Sequence, residues 1–208
     1  GALDLARAAG DRKVEVATSV SLGSVLSLLG KREEALQHLE RSLAIARESG
    51  DREGEMHAIN NLGCVYSDTG RYDEARACFE QFLALCSESK HRWFEAAVLA
   101  NLGVLLLRLG HYKEAQAQTE RALTFSREIG NRGIEASALG LLGDILIATG
   151  HFEQARAHQE PLIALAREIG DRRVEVEAML TLGNACLALG HYEGARVWIE
   201  RQIALAAE

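Results

Sequence analysis

Proline is almost missing from this chain: one residue, Pro161, in 208. That scarcity excludes a collagen-like or proline-rich linker and leaves long uninterrupted helices open. Clustered positive charge is missing too. The net charge is −7, arginine far outnumbers lysine, and no basic run exceeds a pair such as Lys31-Arg32 or Arg172-Arg173. Nucleic acid is therefore excluded as the main partner, because phosphate binding needs grouped Lys and Arg. No apolar run approaches the ~20 residues of a membrane-spanning helix, so no membrane span is expected. The four cysteines (Cys64, Cys78, Cys86, Cys186) form no C-x-x-C and lie within apolar helical patterns. They read as small buried hydrophobes of a reducing compartment, which places the chain in the cytoplasm.

The constellations of catalysis are lacking as well. Gly30-Lys31 has no glycine five residues before it, so it is no phosphate-binding loop, and no Gly-x-Ser-x-Gly elbow occurs. His111, His151 and His191 share a spacing that comes from repetition, too far apart to share one zinc ion at its ~2 Å bond lengths. No metal, no cofactor and no catalytic site is expected. Glu33-Glu34 and Arg47-Glu48 read as solvated helix faces.

What the chain does have is a period. Leu-Gly recurs every forty residues, at 22–23, 62–63, 102–103, 142–143 and 182–183. A second glycine follows seven residues later (Gly30, Gly70, Gly110, Gly150, Gly190), and an alanine five beyond that (Ala35, Ala75, Ala115, Ala155, Ala195). Each unit opens on a turn: Asp11-Arg12, Asp51-Arg52, His91-Arg92, Asn131-Arg132, Asp171-Arg172. A fixed period of this length signals a stacked array of repeats, at 11–50, 51–90, 91–130, 131–170 and 171–208. Residues 1–10 match the close of later units and read as the tail of a preceding repeat. Neither end carries a polar cap, so the chain is expected to be an excerpt of a longer protein whose apolar ends associate with each other.

Each unit divides into two helices. In the second, Asp51 to Thr69 is helix A and Tyr72 to Ser89 helix B. Asp51 suits an N-cap, and Gly50 and Gly70 suit left-handed helix ends. Ile59, Leu62, Val65, Tyr66 and Thr69 mark a buried face of A, and Ala75, Phe79, Phe82, Leu83 and Cys86 one of B. The glycine in the middle of each helix A costs ~0.8–1 kcal/mol relative to alanine. Its recurrence makes sense where a side chain would block a close crossing, with the alanine of helix B as its counterpart. Pro161 falls inside helix B of the fourth unit, where it removes the bond to the Ala157 carbonyl and is expected to bend the helix.

The pattern Asn61-Leu62-Gly63-x-x-Tyr66-x-x-x-Gly70-x-Tyr72-x-x-Ala75-x-x-x-Phe79 resembles the tetratricopeptide repeat signature. The forty-residue period resembles the long variety found in adaptors, bacterial signalling ATPases and transcription regulators. Departures are Leu26 at the Tyr66 position and Gln159 at the Phe79 position. The resemblance implies an all-α, right-handed superhelical solenoid of stacked antiparallel helix pairs, spanning 1–208 as one array. It also implies ligand contacts from helix A on the concave side. Carried over by counting from Leu-Gly, these are Val20 and Ser24 in the first unit, then His57, Asn60, Cys64, Ser67 and Asp68. Ala100, Val104, Leu107 and Arg108 follow in the third, Asp144 and Ile147 in the fourth, and Glu177, Leu180 and Asn184 in the fifth. Asn61 and Asn101, beside the Leu-Gly pairs, are candidates to bond a ligand backbone or to serve local packing. The family's clamp for a C-terminal carboxylate is not reproduced, its positions holding Val20/Ser24, Asn60/Cys64 and Ala100/Val104.

These residues change from unit to unit while the packing positions do not. They imply a largely apolar groove with Asp68, Asp144 and Glu177 against one Arg108, suited to a segment with apolar anchors and some basic character. The expected function is a protein- or peptide-binding scaffold without enzymatic activity. The alternative is a ligand-sensing, autoinhibitory or assembly segment of a signalling ATPase or transcription regulator, its groove held by neighbouring domains of the parent chain.

Overall fold

The computed structural model describes residues 2–89 and 92–207, and these are helical almost throughout. The expected helix end at Ser89 is present. The His91 turn position lies outside the described residues. The chain divides into two compact units, residues 1–90 and 91–208. The first unit holds α1 (Ala2–Ala9), α2 (Arg12–Leu28), α3 (Arg32–Ser49), α4 (Arg52–Asp68) and α5 (Tyr72–Ser89). The second holds α6 (Arg92–Arg108), α7 (Tyr112–Glu128), α8 (Arg132–Ala148), α9 (Phe152–Ile169), α10 (Arg172–Ala188) and α11 (Tyr192–Ala207). Even-numbered helices up to α10 are the A helices, and each packs against the B helix that follows it. The fold class is an all-α solenoid of stacked antiparallel helix pairs.

Local chemistry sets the helix limits. Asp11, Asp51, Asn131 and Asp171 each accept a hydrogen bond from the backbone N–H three residues on, at 3.0–3.1 Å. These side chains satisfy a donor that the first turn would leave orphaned. The B helices starting after Lys31, His111 and His151 have no such cap. Helix ends close on a left-handed glycine: Gly50 has φ +70°, and the next N–H, of Asp51, reaches back to the Ala46 carbonyl at 2.9 Å.

The mid-helix glycines are contact points, as their recurrence suggested. A Cβ on Gly23 would lie 2.6 Å from Leu39 Cγ, and one on Gly63 2.6 Å from Phe79 Cε1. The alanine opposite is only part of the fit. Its backbone carbonyl approaches the notch, at 3.3 Å for Ala35, but the notch is filled by the residue four further along helix B.

Within each unit, A helices touch the A helix of the next repeat: α2 meets α4, α6 meets α8 and α8 meets α10. Among the described residues no B helix approaches another B helix in this way. The A side of each unit is therefore the crowded one. Helix α9 runs unbroken through Pro161, which is exposed, as is Ala157. The carbonyl that loses its donor there sits on a solvent-facing side, where water can replace the missing N–H.

A recurring buried glutamate was not foreseen. Glu15, Glu55, Glu135 and Glu175 are 5–8% exposed. The charge is balanced by arginines that reach over from the preceding B helix: Arg47 to Glu55 at 2.9 Å, Arg127 to Glu135 at 2.9 Å and Arg167 to Glu175 at 2.6 Å. Arg47 is thus more than the solvated face the sequence suggested. Burying a carboxylate without such partners would be costly, so these pairs tie the first repeat to the second, and the third to the fourth and the fourth to the fifth, in one register.

Candidate functional site

In the first unit the groove candidates lie along α2 and α4. Val20, Ser24, His57, Asn60, Asn61 and Cys64 are half-buried and Asp68 is exposed, but Ser67 is buried at 7% exposure and presents little to a ligand. Asn61 is committed to the protein. Its Oδ1 accepts from Ser24 Oγ at 2.8 Å, and its Nδ2 donates to the His57 carbonyl at 2.8 Å. Of the two roles open to it, the geometry favours packing between repeats. A cavity of about 410 Å³ opens between the two helices, lined by Lys13, Ala17, Val20, Gly54 and His57. Gly54 helps to make it, since the other repeats carry Val14, Phe94, Ile134 and Val174 at that point.

In the second unit Val104 (38% exposed), Leu180 (44%) and Leu187 (46%) put apolar surface on α6 and α10. Ala100, Asn101, Leu107 and Ile147 are half-buried, while Arg108, Asp144, Glu177 and Asn184 are exposed. Asp144 and Thr181 repeat the Ser24–Asn61 arrangement: the same two positions, 37 residues apart, joined by the Thr181 hydroxyl donating to Asp144 Oδ1 at 3.4 Å. Desolvation among the packed helices raises the Asp144 carboxyl above its ordinary range, and Glu177 adds to this. Asp144 retains an open edge, so the effect comes from crowding and not from full burial. Glu177 accepts two bonds from Arg173 Nη1, both at 2.8 Å.

The four cysteines form no disulfide. Burial pushes the Cys78 thiol up to about 11, so it is a packing group against the buried cluster of Leu26, Ala35, Leu39, Leu62 and Val65 rather than a nucleophile. Among the described residues no helix is long and apolar enough to cross a membrane.

The signal that the sequence reading missed was available in principle. A glutamate recurs four residues after each turn, at 15, 55, 95, 135 and 175, with an arginine eight residues before it in four cases. The tetratricopeptide repeat profile matches residues 14–88, 55–128 and 134–208. The chain belongs to the tetratricopeptide repeat family. Among functionally curated proteins no sequence matches it. Among solved structures this tetratricopeptide chain resembles BtubC (BKLC) from P. vanneervenii, with a TM-score of 0.86 at 19% identity, over 99% of this chain and 87% of that one. It resembles a STAND signal-transduction ATPase with a tetratricopeptide repeat sensor from Pyrococcus horikoshii, with a TM-score of 0.82 at 16% identity, over 93% of this chain and 30% of that one. It also resembles a Rap protein complexed with Competence and Sporulation Factor, at 0.79 and 16%, over 95% of this chain and 56% of that one. At such identities the likeness establishes the fold. Tetratricopeptide arrays are in general non-enzymatic scaffolds for protein interaction, and that general role follows from the family.

Proposed function

We propose that the A-helix face binds an extended or helical segment of a partner protein, seated on apolar anchors. The observation that carries this is the exposed apolar surface at Val104, Leu180 and Leu187, on helices whose opposite faces are fully packed. Exposed apolar side chains on α6 and α10, with Asp144, Glu177 and Asn184 exposed on the same unit, suit a ligand with apolar contacts and some positive charge. The positions of Asp144, Leu180 and Arg108 are each held by other residues in the other repeats, so the surface can discriminate between sequences.

The test is selection from a random-peptide display library on the folded protein. Peptides enriched on the parent chain are lost on Leu107→Glu and on Leu180→Glu, while the helical melting curve of each variant is unchanged. Enrichment that survives both variants sinks the reading. A second reading draws on the likeness to the STAND ATPase: the face is held by other domains of a longer chain. It requires that no peptide be enriched and that an isolated flanking domain bind instead.

A further inference from the structure

The fourth repeat departs from the others at three places that meet. Gly140 stands where they carry Val20, Asn60, Ala100 and Leu180. Asp144 stands where they carry Ser24, Cys64, Val104 and Asn184, and Gln159 where they carry Leu39, Phe79, Thr119 and Ile199. All three line one cavity of about 180 Å³ between α8 and α10. Val104, Leu141 and Leu162 supply apolar wall. The absent side chain at Gly140 leaves the space open: a Cβ there would meet Leu162 Cδ2 at 3.6 Å.

Two features of this cavity are incomplete without a ligand. Gln159 is 1% exposed, yet neither its Nε2 nor its Oε1 has a hydrogen-bond partner. A buried carboxamide left in this state is rare and costs the whole desolvation of its polar atoms. Asp144 has the Thr181 hydroxyl beside it, but among the described residues no cation stands within ion-pair distance. Glu177 on the rim is already compensated by Arg173. The cavity therefore carries one uncompensated negative charge next to an unpaired acceptor.

We propose that this cavity receives an arginine side chain of the bound segment, its guanidinium donating to the Asp144 carboxylate and to Gln159 Oε1. The proposal rests on the A-helix face being the binding surface. The planar, five-donor fork of arginine reaches two acceptors at once, which the single ammonium of lysine does less well. The methylene stem lies along Val104, Leu141 and Leu162, leaving the charge at the acidic end. A neutral amide would satisfy Gln159 but leave Asp144 uncompensated.

The test is a nuclear magnetic resonance titration of the whole labelled chain with N-acetylarginine amide, and with its neutral isostere N-acetylcitrulline amide. Arginine amide moves the Gln159 side-chain NH2 resonances and the Asp144 carboxyl carbon, and citrulline amide binds about tenfold more weakly, the loss of a charge-assisted bond. Asp144→Asn abolishes that preference, and Gln159→Leu, which leaves the core apolar, weakens arginine binding. Equal binding of the two probes, or no shift at Gln159, overturns the proposal. Peptides from the display selection separate this from the broader reading. Groove-dependent peptides without arginine at a fixed place keep the binding face and sink the pocket, whereas a selection with no groove-dependent peptide sinks the face itself.

Discussion

The notch at Gly63 and the notch at Gly143 are the same backbone feature filled in opposite ways. At Gly63 the ring of Phe79, 1% exposed, lies where a glycine Cβ would be, and its apolar surface is wholly removed from water. At Gly143 the amide of Gln159 occupies the same place, equally buried, with its Cδ 2.7 Å from the position a Cβ would take and its polar atoms unpaired. Both keep helix A close to helix B, so shape alone maintains the fold. What differs is the energy: the first site stabilises its repeat, and the second gives up stability for a polar group. Departures of this kind, tolerated by the packing and unhelpful to it, are where function is to be sought.

The largest way to sharpen the contrast is to empty the first notch. Phe79→Ala leaves a cavity under Gly63 and is expected to cost about 3–5 kcal/mol, the range for burying and then deleting an aromatic side chain. Urea denaturation followed by helical signal measures it. A loss below about 1 kcal/mol would mean that the repeat collapses around the gap, and that Phe79 is not its anchor.

The reverse experiment is Gln159→Leu. Replacing an unpaired buried amide by an apolar side chain of similar size should raise stability by about 1–3 kcal/mol. The same substitution weakens arginine capture, so stability and binding move in opposite directions. If Gln159→Leu destabilises the chain, the amide has partners that the geometry does not reveal, and the asymmetry between the two notches disappears.

How far these sites could be read beforehand depends on distance along the chain. Leu-Gly, the Asx caps and the left-handed glycines are local or strictly periodic, and they appeared where the pattern placed them. Gln159 was visible as a departure from Phe79, but its missing partners are a property of packing between α8 and α9. Asn61 looked like a ligand group because its partner Ser24 is 37 residues away and one repeat earlier. The glutamates at 15, 55, 135 and 175 were hidden by a sound rule, that charged residues face solvent. The rule failed because arginines on the preceding helix reach across the seam to Glu55, Glu135 and Glu175, and Arg41 on the following helix reaches Glu15.

The notches also predict a graded response to alanine. At Gly63 a Cβ would meet the ring at 2.6 Å, but at Gly183 the nearest atom, Ile199 Cγ1, is 3.1 Å away and lies on a flexible side chain. Gly63→Ala should therefore destabilise by about 1–3 kcal/mol through overpacking. Gly183→Ala should be neutral or stabilising by up to about 1 kcal/mol, because alanine is the better helix former. Equal losses at both would show that the glycines serve backbone conformation and not close approach.

The smallest effect concerns pH, and the two carboxylates of the second unit pull in opposite directions. Burial raises Glu135, but hydrogen bonds from Arg127 and Arg132 outweigh it, so its carboxyl ends below the ordinary value. A folded-state value beneath the unfolded one contributes stability above the unfolded pKa, and that contribution is lost as pH falls through the folded value. Asp144 is raised, chiefly by desolvation, so its contribution is present only in acid and is lost as pH rises through its folded value. Glu135→Gln should therefore flatten the loss of stability on going below the ordinary carboxylate range, while Asp144→Asn should lift stability near neutrality and leave the acid limb alone. Thermal melts of both variants across that range decide the matter: parallel curves for Glu135→Gln and the parent would show that the arginine pairs hold register without adding stability.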